Sequence, residues 1–300
     1  MKYLFQSSLF LLLSIAIWSC SSQVVPQAVF TAMPDGQSLP LTVAFTNQSV
    51  NATSYQWDFG DGQTSTEESP SHTYELFGTF TAKLTAINGE NTSEQTYEVV
   101  VPEPPRRQVE IATDYGVMKV ELSNYTPKHR DNFIKLAEEG FFDELLFHRV
   151  IQGFMIQGGD PDSKGAEPGV MLGNGGPGYT IPAEIHPGLI HQRGALAAAR
   201  MGDAVNPEKA SSGSQFYLVQ GQPVNPQILD QLEQYKGVKY SAQQREVYAN
   251  TPGTPMLDGE YTVFGQVIEG IEVIDEIASQ ERGEMDRPVE DVKMQIRVIQ

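Results

Sequence analysis

The chain has 300 residues and a formal net charge of −18, from 38 acidic against 20 basic side chains, and it carries a single cysteine. So acidic a chain without a basic cluster excludes a phosphate-neutralising nucleic-acid binder, which needs grouped Lys and Arg. One cysteine excludes an intrachain disulfide and a cysteine-based zinc site, and the length allows roughly one to three domains with a true core.

The chain opens with Met1 and Lys2, runs through an apolar stretch over 9–18, and reaches Ser19 and Cys20. A basic start, a short apolar run and a small residue at its end read as an export signal over 1–19. The run is short for a membrane span. A lone cysteine directly after such a signal is similar to a bacterial lipobox, although Trp18 is bulkier than the residues usual there. That likeness implies that Cys20 becomes a lipidated N-terminus. It would hold the protein to a bacterial membrane outside the cytoplasm, on the periplasmic or cell-surface side. Several acyl chains on one residue anchor a soluble domain, whereas one chain binds only marginally. Ordinary secretion and an uncleaved anchor are the alternatives.

Residues 20–36 are polar and turn-rich and are expected to form a tether. Over 37–101 the pattern changes to short alternating runs. Leu41-Thr42-Val43-Ala44-Phe45 alternates apolar and polar residues, and so does Ser54-Tyr55-Gln56-Trp57-Asp58-Phe59, which stops at the hairpin signal Gly60-Asp61-Gly62. Stretches 80–86 and 95–101 read as two further strands, and the spacing predicts a small β-sandwich. The string from Trp57 to Gly62, with Ser69-Pro70-Ser71-His72-Thr73-Tyr74 downstream, resembles the polycystic-kidney-disease (PKD) type of immunoglobulin-like domain. The resemblance implies that Trp57 plugs the core. Asp58 and Asp61 read as Asx-turn braces rather than calcium ligands, because two carboxylates fall short of the roughly six to eight oxygens calcium takes. His72 reads as a turn or core residue. The sandwich is either a spacer or a module that binds protein or polysaccharide.

Pro102-Glu103-Pro104-Pro105 stiffens a linker over 102–107. A β-hairpin follows over 108–122, turning at Asp114-Tyr115-Gly116. Thr126 as N-cap, Pro127 in the first turn and Gly140 at the end bound a helix with Phe133, Leu136 and Ala137 on one stripe. A second amphipathic helix is expected over 271–278. Between them, 221–255 reads as a helical segment, with one helix after Asn225-Pro226 and a capping box at Ser241-Ala242-Gln243-Gln244. It either packs on its domain or selects substrate.

The chemistry is concentrated in the run from Phe147 to Asp160, FHRVIQGFMIQGGD. Residues two apart in a strand share a face, so Arg149 and Ile151 point one way and His148 and Val150 the other. Gly153 permits a kink that aims Phe154, Met155 and Gln157 at the cleft holding Arg149. A guanidinium beside an apolar pocket suits a neutral substrate with one polar atom that needs a donor, and a proline ring with its amide fits. Asp160-Pro161-Asp162-Ser163-Lys164-Gly165 puts a lysine at a calcium-ligand position. His186 and His191 lack a third ligand in the sequence.

This run resembles the signature of the cyclophilin-type peptidyl-prolyl isomerases, and the segments over 194–200, 212–218 and 257–265 resemble that family's later strands in order. The resemblance covers roughly 108–300. It implies a mainly β protein in which the sandwich precedes a closed, antiparallel, eight-stranded β-barrel capped by two helices. It also implies isomerisation of X-Pro bonds, with neither metal nor cofactor, in the folding of exported proteins. Arg149 would be the acting cation, and Gln157 and Gln215 would bond it or the substrate backbone. Phe154, Met155, Tyr217, Leu257 and Tyr261 match the proline pocket, Phe264 matches a wall residue, and Ala199 and Arg200 match the strand that pairs with the peptide. Met256 is counted among the substrate-binding residues by the same likeness, and it stands where a Trp is typical of members that bind cyclosporin tightly, so weak cyclosporin binding is expected. Tyr217 stands where many members have Phe, and Tyr261 where eukaryotic members usually have His. The stretch 201–211 is longer than in compact members and alters the cleft rim, and the helical segment 221–255 is an insertion that compact members lack. The expected partners are extended Pro-containing polypeptides, on a monomer that binds no nucleic acid. The alternative is a non-catalytic module that holds such segments.

Overall fold

The computed structural model describes residues 24–300; the signal segment and Cys20, with the lipid anchor expected there, lie outside the described residues. The chain divides into two compact units between Pro104 and Pro105.

The first unit is built from β1 (Phe30–Asp35), β2 (Leu41–Asn47), β3 (Ser54–Asp58), β4 (Thr64–Ser65), β5 (Ser71–Tyr74), β6 (Gly78–Asn88) and β7 (Asn91–Val101). They form two sheets, ordered β1-β2-β5 and β4-β3-β6-β7. Alternation turns Leu41, Val43 and Phe45 of β2, and Ala82, Leu84 and Ala86 of β6, onto one core around Trp57. The Trp57 indole N–H donates to the Glu67 carbonyl at 2.9 Å, so the buried ring keeps its polar edge satisfied. Asp58 accepts the Gly60 N–H at 2.9 Å and Asp61 the Gln63 N–H at 3.0 Å, both Asx turns. The other Asp61 oxygen lies 2.7 Å from His72 Nε2, and the imidazole stacks on Phe59 at 4.1 Å.

The tether expected over 20–36 is corrected here. β1 pairs with β2 along its whole length, and Phe30 is buried in the core. Only Phe30 and Ala32 of β1 turn to the core, too short an alternation to mark the strand, and Pro34 with Gly36 read as turn.

The second unit contains β8 (Gln108–Thr113), β9 (Gly116–Leu122), α1 (Pro127–Glu138), β10 (Leu145–Leu146), β11 (Arg149–Ile151), β12 (Met155–Gly158), β13 (Thr180–Ile181), β14 (Ala195–Ala198), β15 (Ser211–Ser212), β16 (Phe216–Val219), α2 (Pro226–Lys236), α3 (Ala242–Asn250), β17 (Val263–Glu269), α4 (Glu272–Ala278) and β18 (Lys293–Val298). One antiparallel sheet runs β10-β18-β8-β9-β17-β14-β16-β12-β11. Its two ends, β10 and β11, are separated in the chain only by Phe147 and His148. The sheet therefore curls until its ends meet in one broken strand, and counting that strand once turns nine segments into eight. Inward side chains such as Ile111, Val120, Ile156, Leu196 and Leu218 fill the interior. Helix α1 packs on β17 and β18, and α4 on β9, β11 and β12.

Thr126 does not cap α1 with its side chain. Glu184 does so instead, accepting the N–H groups of Lys128 at 3.1 Å and His129 at 2.9 Å and lying 2.7 Å from His129 Nδ1. In the insertion, Asn225 caps α2, and Ser241 with Gln244 forms a complete capping box on α3. Leu229, Tyr240 and Tyr248 bury a small core there. Among the described residues no helix is long and apolar enough to cross a membrane.

Candidate active site

The register of the barrel lays out the site. Arg149 pairs with Gln157 across β11 and β12, Gln157 with Tyr217 across β12 and β16, Tyr217 with Ala197, and Ala197 with Val263. Directly paired residues project on the same face of a sheet, so this row runs along the outer wall of the barrel. Their neighbours Val150, Ile156, Phe216 and Leu218 point into the core. On the outer face Met155, Tyr217 and Val263 form a second apolar cluster, with Phe154, Leu257 and Tyr261 against it. A cleft of about 960 Å³ lies over that cluster, closed on its far side by the loops 168–173 and 283–289. Gly153, at φ +75°, makes the turn that returns the chain from β11 to β12.

Arg149 is held from one side. Its Nη1 donates to Gln157 Oε1 at 3.3 Å, Gln157 Nε2 donates to Gln215 Oε1 at 3.1 Å, and Gln215 Nε2 donates to the Gly175 carbonyl at 2.7 Å. Its Nε lies 3.9 Å from Asp286 Oδ2, a partly exposed pair that contributes little. The apolar wall is fixed by ring contacts. Tyr217 and Tyr261 meet edge to face at 5.9 Å, and the Arg200 guanidinium sits 4.6 Å above the Tyr261 ring. Burial pushes the Tyr217 phenol well up, so it stays protonated. Burial also pushes the His148 imidazole down, keeping it neutral beside Arg149.

Residues 108–298 match the family model described as cyclophilin type peptidyl-prolyl cis-trans isomerase/CLD, and 23–101 match that of the PKD domain. The chain belongs to the cyclophilin-type peptidyl-prolyl cis-trans isomerases. A Staphylococcus haemolyticus protein named as a peptidyl-prolyl cis-trans isomerase is 37% identical over 186 residues, covering 62% of this chain and 87% of that one. A Streptococcus pyogenes serotype M6 protein named as a bifunctional phosphatase/peptidyl-prolyl cis-trans isomerase is 39% identical over 188 residues. That match takes in 62% of this chain and only 37% of the streptococcal protein. A solved Cryptosporidium parvum cyclophilin aligns with 27% identity and a TM-score of 0.47, over 65% of this chain and 99% of its own.

In this cyclophilin Arg149, Phe154, Met155, Gln157, Ala199, Arg200, Tyr217, Leu257 and Tyr261 line the same cleft. Gln215 does not line it; it is buried behind Gln157 and acts on Arg149 through that side chain. Two expectations are corrected. Phe264 is no cleft wall: it lies in the barrel core, 5.4 Å from the Phe133 ring. It follows Val263, which faces outward, so strand parity sends it inward. Met256 is half-exposed and outside the cleft lining, in the turn Pro255–Leu257. The Ala199 N–H donates to the Gln215 carbonyl at 2.9 Å and its carbonyl accepts from Ser212 at 2.8 Å, so Ala199 spends its donor within the fold. The motif runs did not mark His148, Pro168 to Gly173, or Met285 and Asp286 as cleft residues. Those loops have no periodicity, and only the barrel's closure brings them over Arg149.

Proposed function

We propose that this protein is an extracytoplasmic, lipid-anchored isomerase that speeds rotation about X-Pro bonds in exported polypeptides, with Arg149 as the acting cation. The observation that carries the reading is the orientation of Arg149 by Gln157 and Gln215 beside an apolar wall of Phe154, Met155 and Tyr217.

Rotation about an X-Pro bond is opposed by amide resonance, with a barrier of about 18–20 kcal/mol, and takes roughly tens to hundreds of seconds unaided. A proline ring seated on the wall leaves the preceding amide free to turn. A guanidinium donating to the prolyl nitrogen, or holding the carbonyl that follows, favours the twisted state in which the nitrogen lone pair is localised. Only this preference for the twisted state over both planar states counts as catalysis. Lowering the barrier by about 7 kcal/mol gives roughly five decades in rate. Arginine suits the task because it stays charged and offers a planar fork of donors. The Ala199 donor is already used, so Arg200, one residue on, is the main-chain position from which an extended peptide would pair. The rotation breaks no covalent bond and asks for no nucleophile or cofactor. In this reading Cys20 carries the lipid and the PKD unit is a spacer.

The test is cis–trans exchange of an Ala-Pro-Phe peptide, followed by NMR with the full chain and with Arg149→Ala. Acceleration by the wild type that is largely lost in the variant supports the reading. Binding without acceleration overturns it in favour of a holding module.

A further inference from the structure

We propose that the helical insertion over 221–255 is a brace for the proline pocket, acting on Tyr217 through Asp258 and His191. The proposal rests on the isomerase reading above, in which Tyr217 forms part of the proline-binding wall.

The insertion leaves and rejoins the barrel at one place. Gln222 and Gly253 exchange main-chain hydrogen bonds at 3.2 and 2.9 Å, and the Thr254 N–H donates to the His191 carbonyl at 2.9 Å. Two tyrosines of the insertion reach Asp258: the Tyr240 hydroxyl donates to Oδ2 at 3.0 Å and the Tyr248 hydroxyl at 2.6 Å. The other carboxylate oxygen accepts the His191 N–H at 2.8 Å and lies 2.8 Å from His191 Nδ1. A carboxylate accepts only, so Nδ1 is the protonated nitrogen. A neutral imidazole then offers its lone pair at Nε2. The Tyr217 hydroxyl lies 3.0 Å from that nitrogen and donates to it. One chain of hydrogen bonds therefore begins on α3 and ends on a ring of the pocket.

Every member is buried, with Asp258 2% exposed, His191 0%, Tyr248 2% and Tyr217 5%. A broken link would leave a buried polar group without its partner, so the chain holds as a unit. The notable member is Tyr217. A phenylalanine there would fill the same space but would give the insertion nothing to hold. The hydroxyl lets structure outside the cleft set how the ring stands against Tyr261 and the substrate proline. An insertion that merely packed on the barrel would satisfy Asp258 and stop there.

The experiment is a mutant cycle on the full chain, with Tyr240→Phe/Tyr248→Phe made in the wild type and again in Tyr217→Phe. Each substitution removes a hydroxyl and keeps the ring. The expected result is a fall in kcat/KM of about 5- to 10-fold in the wild-type background, mostly through KM. In the Tyr217→Phe background, where the link is already cut, the same pair changes kcat/KM less than about twofold. An equal fall in both backgrounds, or none in either, overturns the brace. Tyr240→Phe alone, which leaves Tyr248 on Asp258, is read in the same cycle if the pair does not fold. The Tyr217 ring-flip rate, measured by NMR on Tyr-labelled protein, gives a readout independent of turnover. It should rise in Tyr240→Phe/Tyr248→Phe. If the wild type turns over no peptide, the isomerase reading fails while an altered flip rate still supports the brace; an unchanged flip rate overturns it.

Discussion

Gln157 donates its side-chain amide to Gln215 Oε1 at 3.1 Å, and this bond decides which end of Gln157 meets Arg149. With its amide hydrogens committed, Gln157 presents its oxygen to the guanidinium. Gln215 is fixed in turn by donating to the Gly175 carbonyl at 2.7 Å. The order runs from main chain outward. A cation that acts by its position needs supports that cannot rearrange, and the buried Gln215 supplies one.

Removing Arg149 should therefore cost far more than removing its support. Arg149→Ala is expected to lower kcat/KM by about 10²–10³-fold, the loss typical of one preorganised donor. Arg149→Lys should recover little, since an ammonium cannot reproduce the planar fork. Gln215→Ala should cost about tenfold, the scale of one hydrogen bond to a charged group's support. Peptide exchange rates for the three variants test this; equal losses for Arg149 and Gln215 variants would contradict the ordering.

Much of this site was legible in the sequence because strand parity is local. Arg149 and Ile151, then Met155 and Gln157, could be placed on one face from their spacing alone. Parity also explains the misplacement of Phe264: likeness to a motif selects a segment, but the inward or outward sense of each residue comes from the strand. Other features depend on contacts that no window spans. Glu184 caps α1 from 55 residues away, so the local signal at Thr126 could not reveal it. Tyr217 finds His191 across 26 residues, and His191 in the sequence looked only like half of an incomplete metal pair.

The cap on α1 gives a stability prediction. The partly buried Glu184 carboxyl is pushed up by desolvation, yet the His129 side chain and the N–H groups of His129 and Lys128 outweigh this and hold it below the usual carboxylate range. Glu184→Ala should destabilise the barrel by about 1 kcal/mol, up to about 2, the cost of a lost cap. Urea unfolding read at a barrel signal measures it.

Trp57 sits at 0% exposure in the sandwich core, with its indole N–H satisfied by Glu67. Trp57→Ala should cost about 3–5 kcal/mol, the range for emptying a large aromatic site. Trp57→Phe should cost less, since most of the volume is kept. Scanning calorimetry of the wild type and both variants, read at the unfolding transition of the sandwich unit, checks the order.

Met256 is 51% exposed and lies outside the cleft lining, in a turn whose main-chain carbonyl accepts from Lys236 of α2 at 2.5 Å. The resemblance associates tight cyclosporin binding with a Trp at this position. Wild-type protein should accordingly bind cyclosporin weakly, and Met256→Trp should tighten it by about tenfold or more, because a ring on the exposed rim beside the cleft residue Leu257 can be covered by a ligand that extends beyond the cleft. Peptide exchange in the absence of the drug should hold within about twofold, because the side chain does not face the cleft. Calorimetric titration of both proteins decides it; unchanged affinity in the variant would show that the turn presents this side chain elsewhere.

The pH dependence of stability turns on His148. Burial disfavours its cation and lowers its pKa, while the nearby Asp160 opposes the shift only in part. The folded value thus lies below the ordinary histidine value of about 6.5. Between the two, the unfolded chain binds a proton that the folded chain does not, so stability is full above about pH 6.5 and falls as pH drops through that window. The slope from one such group cannot exceed about 1.4 kcal/mol per pH unit. His186, also lowered by burial, acts in the same window but is half-exposed. The carboxylates Glu184 and Asp275, both held low, contribute only further down, below about pH 4. Tm measured from pH 8 to pH 5 should therefore decline below about 6.5 in the wild type. His148→Gln should remove more of that decline than His186→Gln. A decline unchanged by His148→Gln would mean that the imidazole protonates without strain in the folded cleft. Arg149 would then have a second cation as its chain neighbour at mildly acid pH, and the peptide exchange rate would change with the titration of His148 as well.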